Sequence, residues 1–410
     1  MIHFFFISLL LKLPARCLVF TLVLQVNSLA VADSAHREPL KVFLLIGQSN
    51  MQGHAHVRTF ENIGMDPVTA PLLRAMQTEA GTPTVCDDVW ISLLSNGGEK
   101  HGRLTAGFGA DENKIGPEFS FGIFMRQSLS ARILIIKTAW GGKSLNTDFR
   151  SSSAGPYLFN QSQIQNFERQ GKDVDAIKAE KVKATGHYYR LMIGHVKKVL
   201  SKIDQVVPDY DSTDGYELAG AVWFQGWNDM VDRGTYPNRG EDGGYDAYSE
   251  VMAHFIRDIR RDLTAPNLPF VIGVLGVGGP VSKYRPEQKR YEAIHSNFRK
   301  AMAAPAALPE FRSNVRAVFT ENYWDMELTD LRAREAVIKR EANQRQKQDQ
   351  LTRDATNRLL DELRRAAFTD REREILSKGV SNAEYHYLGS AKIMAQIGKG
   401  FADSLAAILR

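Results

Sequence analysis

Short apolar runs rich in β-branched and aromatic residues recur along the chain, and none alternates cleanly between apolar and polar positions. Runs of this kind are typical of strands that are covered on both faces, as in parallel sheets. We predict six such strands, Val42–Ile46, Val89–Leu94, Ile133–Ile136, Leu218–Phe224, Phe270–Leu275 and Val315–Phe319.

Helical patterns lie between these apolar runs. Apolar residues recur at helical spacing from Tyr188 to Val199 and again from Tyr248 to Ile259. Strands that alternate with helices pack as an α/β sandwich around a mainly parallel sheet. The pattern therefore predicts an α/β fold, a three-layer α/β/α sandwich.

Two segments depart from this alternation. Residues 146–175 are polar and predict a long surface loop that could cover a site. Residues 328–378 are dense in mixed charge and poor in aromatics, which predicts a solvated helical hairpin inserted before the last helix. Acidic and basic side chains are interspersed there, and the net charge of +5 is mild for 410 residues. No nucleic-acid partner is expected.

The N-terminus has the pattern of a signal peptide over residues 1–32. Leu18 to Val26 form an apolar stretch, and Ala30-Val31-Ala32 is a small-residue cleavage pattern. An uncleaved membrane anchor is the alternative, but Lys12 and Pro14 interrupt a continuous span of ~20 residues. We expect a secreted or periplasmic protein without stable membrane insertion after cleavage.

Cysteine and histidine usage gives no sign of a disulfide or a metal site. Removal of residues 1–32 leaves Cys86 as the only cysteine, so the mature chain cannot form an internal disulfide. His54, His56 and His101 match no familiar zinc spacing, and we interpret them as surface-loop histidines. No metal and no cofactor is expected.

Four separated segments carry polar or glycine residues where a core would not need them. In open α/β sheets, ligands bind beyond the carboxyl ends of the strands, and the first three segments follow predicted strands. The segments are Gly47-Gln48-Ser49-Asn50, Trp140-Gly141-Gly142-Lys143, Gln225-Gly226-Trp227-Asn228-Asp229 and Glu384-Tyr385-His386.

Each segment alone has a structural interpretation beside the chemical one. Ser49 is either a helix N-cap or a nucleophile at a sharp turn, and the two weigh evenly. The pair Gly141-Gly142 makes a tight turn or brings a backbone N–H close to a ligand. The amide of Asn228 caps a helix or donates to an oxyanion. His386, at a polar helix start, is structural or faces a cleft.

Taken together, the order Ser49, glycine pair, Gly226-x-Asn228-Asp229 and His386 resembles the SGNH hydrolase superfamily. More narrowly, five motifs look like those of the sialate O-acetylesterase-like carbohydrate esterases, which include acetylxylan esterases. The motifs are Gly47–Met51, Ile115–Glu118, Phe121-Gly122, Trp140–Gly142 and Trp223–Gly226.

The resemblance implies a flavodoxin-like sheet and a catalytic domain over residues 39–325. A charged helical insertion would span residues 326–380, and residues 381–410 would form a C-terminal helix that completes the catalytic domain. The similarity runs from about Lys41 to the C-terminus and excludes the insertion.

The resemblance also implies a mechanism. Ser49 would attack an ester carbonyl and form an acetyl-enzyme, with His386 as the base. The oxyanion would be held by the Ser49 N–H, the N–H of Gly141 or Gly142, and the Asn228 side chain. Four further residues would contact the substrate, Gln48, Asn50, Gln225 and Trp227.

One position departs from the superfamily pattern. An Asp usually stands three residues before the histidine, and here that position is Ala383. Glu384 could orient His386 from a shifted backbone, a backbone carbonyl could serve in a Ser–His dyad, or Asp229 could reach the imidazole through the fold. Glu384 and the dyad rank about equally, ahead of Asp229.

The sequence thus predicts an exported serine esterase that removes O-acetyl groups from carbohydrate, such as sialate or xylan. The alternative is a secreted glycan-binding protein on an esterase-like scaffold. Intact Gly-x-Ser-x-Gly and Gly-x-Gly-x-x-Gly motifs are absent from the sequence, which disfavours an α/β-hydrolase and a dinucleotide enzyme. The acetylated sugar and the oligomeric state stay open.

Overall fold

The computed structural model describes residues 38–410, and a seven-stranded sheet runs through its centre. The strands are β1 (Leu40–Gly47), β2 (Ala55–His56), β3 (Val89–Ser95), β4 (Gly98–Arg103), β5 (Lys114–Ile115), β6 (Ile133–Ala139), β7 (Tyr216–Phe224), β8 (Phe270–Val274) and β9 (Val315–Phe319). The sheet order is β4-β3-β6-β1-β7-β8-β9, and β2 pairs with β5 in a separate antiparallel ribbon. All six predicted strands are present in the central sheet, and they are parallel to one another.

Helices surround the sheet, and two of them, α7 and α9 below, confirm the predicted helical spacing. In the described part of the chain they are α1 (Ser49–Gln52), α2 (Phe60–Gly64), α3 (Ala70–Met76), α4 (Glu118–Leu129), α5 (Gln161–Arg169), α6 (Val174–Ala184), α7 (His187–Leu200), α8 (Trp227–Val231), α9 (Asp246–Asp262), α10 (Glu292–Ala303), α11 (Met326–Gln348), α12 (Arg353–Ala367), α13 (Asp370–Lys378) and α14 (Ala391–Leu409).

The two faces of the sheet are covered by different helices. Consecutive residues of a strand point to opposite faces. In β7, the Trp223 ring packs on Phe255 of α9 at 4.5 Å between centroids, and the next residue, Phe224, packs on Phe401 of α14 at 5.3 Å. The predicted α/β/α sandwich with a mainly parallel sheet is therefore confirmed.

The strand order brings three of the predicted site segments to one place. Gly47, the last residue of β1, pairs with Ala139 at the end of β6 and with Phe224 at the end of β7. The loops that follow these three strands leave the same edge of the sheet side by side. Counted along the chain, the parallel strands run 2-3-1-4-5-6, which exchanges two strands relative to flavodoxin's 2-1-3-4-5.

The elements that were not predicted include β4 and α5. β4 is polar and almost wholly exposed, so no apolar pattern marks it, and it is positioned by antiparallel pairing with β3. Helix α5 lies inside the segment predicted as a loop. It begins with a capping box, in which the side chain of Asn160 accepts from the Gln163 backbone and the Gln163 side chain accepts in return.

The charged segment forms three helices, α11 to α13, where a two-helix hairpin was predicted. Helix α12 ends at Ala367, and the next residue, Phe368, is buried. A capping box between Thr369 and Glu372 then starts α13. The buried aromatic and the cap explain the additional helix, because together they fix a turn that charge pattern alone does not indicate.

The predicted signal peptide lies outside the described residues. Within residues 38–410, which belong to one compact unit, no helix combines the length and the apolarity needed to cross a membrane.

Candidate active site

Ser49 lies at the turn between β1 and α1. The backbones of β1 and β7 approach so closely here that a Cβ on Gly47 would lie 2.1 Å from the Phe224 carbonyl oxygen, so only glycine fits. Ser49 is the first residue of α1, and its N–H therefore has no partner within the helix. The side chain is 8% exposed. The turn thus presents a serine, and a backbone donor without a partner in α1, at the carboxyl end of the central strand.

The Gln48 side chain links this turn to the loop after β7. Its Oε1 accepts from the backbone N–H groups of Gly226 at 3.2 Å and Asn228 at 3.4 Å, which fixes the orientation of the amide. Its Nε2 must then be the donor, and it donates to Asn228 Oδ1 at 3.0 Å. Asn228 consequently keeps its Nδ2 as a donor, and that atom bonds to no other described residue.

The glycine pair after β6 lies beside the serine. The N–H of Trp140 donates to the Gly47 carbonyl at 3.3 Å, which ties this loop to the end of β1. A Cβ on Gly141 would lie 4.0 Å from the Cβ of Ser49, whereas Gly142 faces open space and has a φ of +74°. Gly141 is therefore the nearer of the two candidate oxyanion donors, and Gly142 provides the left-handed turn.

Asp229 is buried and holds the loop that follows the glycine pair. Its carboxylate accepts from the N–H groups of Leu145 at 2.8 Å and Asn146 at 3.0 Å, and from Gln225 Nε2 at 2.5 Å. Burial raises the pKa of Asp229 to about 6. None of these partners belongs to the His386 segment, so Asp229 does not orient the imidazole.

Three predicted substrate contacts are buried. Gln48 and Gln225 are each 1% exposed, and the amides of both are hydrogen-bonded to protein groups. The Gln225 amide bonds to the Lys143 carbonyl, the Asp229 carboxylate and the Tyr248 hydroxyl. Asn50 is 2% exposed, and its Oδ1 has no partner among residues 38–410. These contacts favour positioning roles for both glutamines.

His386 lies on a short 3₁₀ segment, Glu384–Gly389, whose backbone is strained. Tyr387 and Leu388 have φ values of 52° and 61°, in the left-handed region that side chains other than glycine rarely adopt. Such conformations persist where the surroundings over-determine them. Here the buried Tyr387 hydroxyl accepts from the Gly276 N–H at 2.8 Å and bonds to the Thr320 hydroxyl at 2.6 Å, which anchors the segment.

Asn382 contacts the far nitrogen of the imidazole. The Asn382 Oδ1 lies 2.9 Å from His386 Nδ1, and it also accepts from the Ala383 N–H at 2.7 Å. The backbone donor fixes this atom as the oxygen, so His386 Nδ1 must carry the proton. The other nitrogen, Nε2, is then left with a free lone pair, as a general base requires.

Asn382 was not predicted, and it takes the place considered for three other groups. Glu384 has an exposed side chain, Asp229 is engaged elsewhere, and within residues 38–410 no backbone carbonyl bonds to His386 Nδ1. The sequence carries a weak signal for Asn382, an amide four residues before the histidine. Ala383 contributes through its backbone N–H, which orients the Asn382 amide.

His54 stacks on His386 and is not a surface-loop histidine. The two imidazole rings lie 3.9 Å apart between centroids with planes 3° apart, and both are half-buried. Burial, with smaller contributions from the charges of His386 and Lys114, lowers the pKa of His54 to about 4. Burial and the charge of Lys114 lower the pKa of His386 to about 4 as well. Both rings are thus neutral at pH 7.

The serine and histidine segments are in contact, but their side chains are not hydrogen-bonded. Helix α1 touches the Glu384–Gly389 segment, and His54 lies two residues after the end of α1. Within the part of the chain that the structure describes, the Ser49 hydroxyl bonds only to Gln48 Nε2, at 3.4 Å. The fold therefore brings the two predicted catalytic residues to one site without closing the bond between them.

A fully buried ion pair lies under the serine turn. Lys137 Nζ donates to Glu118 Oε2 at 2.6 Å, to the Gln52 carbonyl at 2.9 Å and to the Phe108 carbonyl at 2.8 Å. The Glu118 Oε1 accepts from the Gly116 N–H at 2.8 Å. Because Gln52 ends α1, the ammonium fixes the end of the helix that carries Ser49.

A family model for carbohydrate esterases, described as sialic acid-specific acetylesterase, matches residues 39–309, about two-thirds of the chain. The protein belongs to this family. The match includes the segments of Ser49, Gly141 and Asn228, and it ends before His386. A search of curated proteins found no match.

Solved structures similar to this acetylesterase-family chain share little sequence with it. A protein from Arabidopsis thaliana is 18% identical, with a TM-score of 0.36, over 69% of this chain and 86% of that one. A carbohydrate acetylesterase from Xanthomonas citri is 17% identical, with a TM-score of 0.37, over 68% and 49% of the chains. NanS is 15% identical, with a TM-score of 0.35, over 69% and 78%.

We predict that removing one charge of the buried Lys137–Glu118 pair destabilises the fold more than removing both. The Lys137→Met variant leaves Glu118 buried without its partner, and we expect the free energy of unfolding to fall by about 3–5 kcal/mol. The double variant Lys137→Met/Glu118→Gln removes both charges and keeps an acceptor for Gly116, so it should regain part of this loss. Denaturant unfolding measures both.

The matched control is Lys183→Met, because Lys183 pairs with Glu180 on the surface. Its loss of stability should be small beside that of Lys137→Met, because exposed ion pairs contribute little. A double variant less stable than Lys137→Met alone would contradict the assignment.

Proposed function

We propose that the protein is a serine esterase that removes O-acetyl groups from carbohydrate through an acetyl-Ser49 intermediate. The observation that carries the proposal is the meeting of Ser49, Gly141 and Asn228 at the carboxyl ends of three adjacent strands. Membership of an acetylesterase family supports the same chemistry. Export through the N-terminal signal peptide is part of the proposal.

The first step is acyl transfer to the serine. The Ser49 Oγ bonds to the acetyl carbonyl carbon while His386 Nε2 takes the hydroxyl proton. The carbonyl oxygen becomes an oxyanion, which the N–H groups of Ser49 and Gly141 and the Nδ2 of Asn228 stabilise. One such donor contributes about 2.7–4 kcal/mol to the stability of a transition state.

The second half returns the enzyme to its starting state. The bond between the acetyl carbon and the sugar oxygen breaks, and the imidazolium of His386 gives its proton to that oxygen. Water then attacks the acetyl carbon while His386 Nε2 takes its proton. The bond from that carbon to Ser49 Oγ breaks, the imidazolium returns the proton to Oγ, and acetate leaves. The hydrogen bond between Ser49 Oγ and His386 Nε2 has to form for this chemistry. Catalytic hydrogen bonds frequently form only when substrate binds.

Asn382 is the positioning residue in this scheme. Its oxygen holds the His386 Nδ1–H, as the asparagine does in Cys-His-Asn proteases. A neutral amide fixes the tautomer but stabilises the imidazolium less than a carboxylate would, because it carries no charge. Asn382 therefore replaces the usual Asp in orienting His386, but it does not supply the negative charge of that Asp.

Replacement of the nucleophile gives the first test. The Ser49→Ala variant should lose at least about 10³-fold in kcat on 4-nitrophenyl acetate and acetylated xylan, while its circular dichroism is unchanged. A fluorophosphonate should label the wild type and not this variant.

Ser120→Ala is the matched control, because Ser120 is a fully buried serine; it should still be labelled. If Ser49→Ala retained turnover, the nucleophile would be another group. A wild type that binds acetylated glycans without labelling or turnover would favour the glycan-binding alternative.

A second prediction concerns Asn382. We expect Asn382→Ala to lower kcat roughly ten- to hundredfold at similar KM, because the His386 ring loses its orientation. Asn382→Asp should keep or raise kcat at pH 8 and move the acid limb of the rate profile to higher pH, since an adjacent carboxylate raises the pKa of the imidazole. A merely structural role would lower stability without moving that limb.

The pH dependence of wild-type activity gives a third test. His386 acts as a base only when neutral, and its pKa is about 4. We therefore expect kcat/KM to stay level as the pH falls to about 5 and to drop as the pH passes through that pKa. Lys114→Gln removes a charge that lowers this pKa, so its acid limb should lie at higher pH. A wild-type limb near the usual histidine pKa, about 6.5, would show that the ring is solvated.

A further inference from the structure

A cleft of about 560 Å³ opens beside the site. Trp227 and Tyr385 line it, together with Tyr291, Ile294 and His295 at the start of α10. Neither Ser49 nor His386 lines it. A volume of this size lies within the range of ligand pockets, about 300–1,000 Å³. The cleft is therefore a candidate site for a part of the substrate other than the acetyl group.

Two aromatic rings separate the cleft from the catalytic residues. The Tyr385 ring lies 4.5 Å from the His386 ring between centroids, and it lies 5.6 Å from the Trp227 ring. Trp227 stands next to Asn228, the proposed oxyanion donor. Tyr385 and Trp227 therefore lie beside proposed catalytic residues and also line the cleft.

Both aromatic rings and planar polar side chains line the cleft. Tyr291 stacks on His295 with 5.8 Å between centroids, and Arg290 lies over the Tyr291 ring with its guanidinium carbon 4.7 Å from the centroid. The lining also includes the polar side chains Arg233, Arg239, Glu287, Gln288 and Glu384 and the apolar side chains Met230, Val231 and Val277. Positive and negative charges are mixed, so no strongly charged ligand is selected.

This lining suits a sugar. A pyranose ring has apolar C–H faces, which pack on aromatic rings, and hydroxyl groups around its edge, which bond to planar amide, carboxylate and guanidinium groups. Tyr385 is 43% exposed and Tyr291 41%, so both rings are accessible. A lipid or an extended apolar ligand would leave the polar side chains without partners.

We propose that the cleft is a second sugar subsite, which binds the residue linked to the acetylated sugar. The preferred substrate is then an acetylated oligosaccharide and not a free acetylated monosaccharide. The proposal rests on the proposed esterase function, because it assigns the site of the glycan that continues beyond the ester.

The test compares three substrates on the full-length protein: 4-nitrophenyl acetate, an acetylated methyl xyloside and an acetylated xylo-oligosaccharide. For the wild type we expect kcat/KM to be at least about tenfold higher on the oligosaccharide than on the xyloside, the effect of one good stacking contact. Ile294→Trp fills the cleft and should abolish this advantage, with the two small substrates unaffected. Tyr291→Ala should reduce it severalfold.

Two controls complete the experiment. Ile294→Val leaves the cleft open and should behave like the wild type. Tyr216→Ala removes a tyrosine of similar exposure, 43%, at the opposite end of β7 from the site, and should change nothing.

Equal kcat/KM on the xyloside and the oligosaccharide in the wild type would overturn the subsite, and so would an unchanged advantage in Ile294→Trp. Failure of the esterase function has a different signature, since no acetate would then be released from any of the three substrates.

Discussion

The Gln48 amide joins the ends of two neighbouring strands, and the arrangement of the site depends on this link. It accepts from two backbone N–H groups of the loop after β7 and donates to Asn228. Because both ends of the amide are used, the orientation of Gln48 determines that of Asn228, and a donor is left next to Ser49. The close approach of β1 and β7 at Gly47 makes this short bridge possible.

The base, His386, is held in a similar way, by a side-chain amide that a backbone N–H fixes. The Ala383 N–H orients Asn382, and Asn382 in turn sets the tautomer of His386. The strained backbone after His386 persists because the Tyr387 hydroxyl is bonded at two points in the core. The site therefore needs no carboxylate beside the histidine to be ordered. It does lack the charge that would stabilise an imidazolium.

Buried groups beneath the site serve its geometry more than its chemistry. Lys137 and Glu118 fix the end of the serine helix, and Asp229 holds the loop after the glycine pair. Each is buried and bonded to backbone groups, as polar groups in a core must be. The sequence had left Asp229 open as a partner of His386. Spacing along a chain cannot tell which loop a buried carboxylate will face.

The sequence by itself determined the layered fold, because unbroken apolar runs identify buried parallel strands. It also located the serine, because packing does not explain polar residues at the ends of such strands. It missed β4, which has no apolar pattern and is positioned only by pairing with β3. Tertiary structure alone decided that Asn382 contacts His386, that His54 stacks on it, and that Gly141 lies nearer to Ser49 than Gly142 does. These are contacts between loops far apart in sequence, and their geometry depends on strand order and backbone direction, which local residue patterns do not encode.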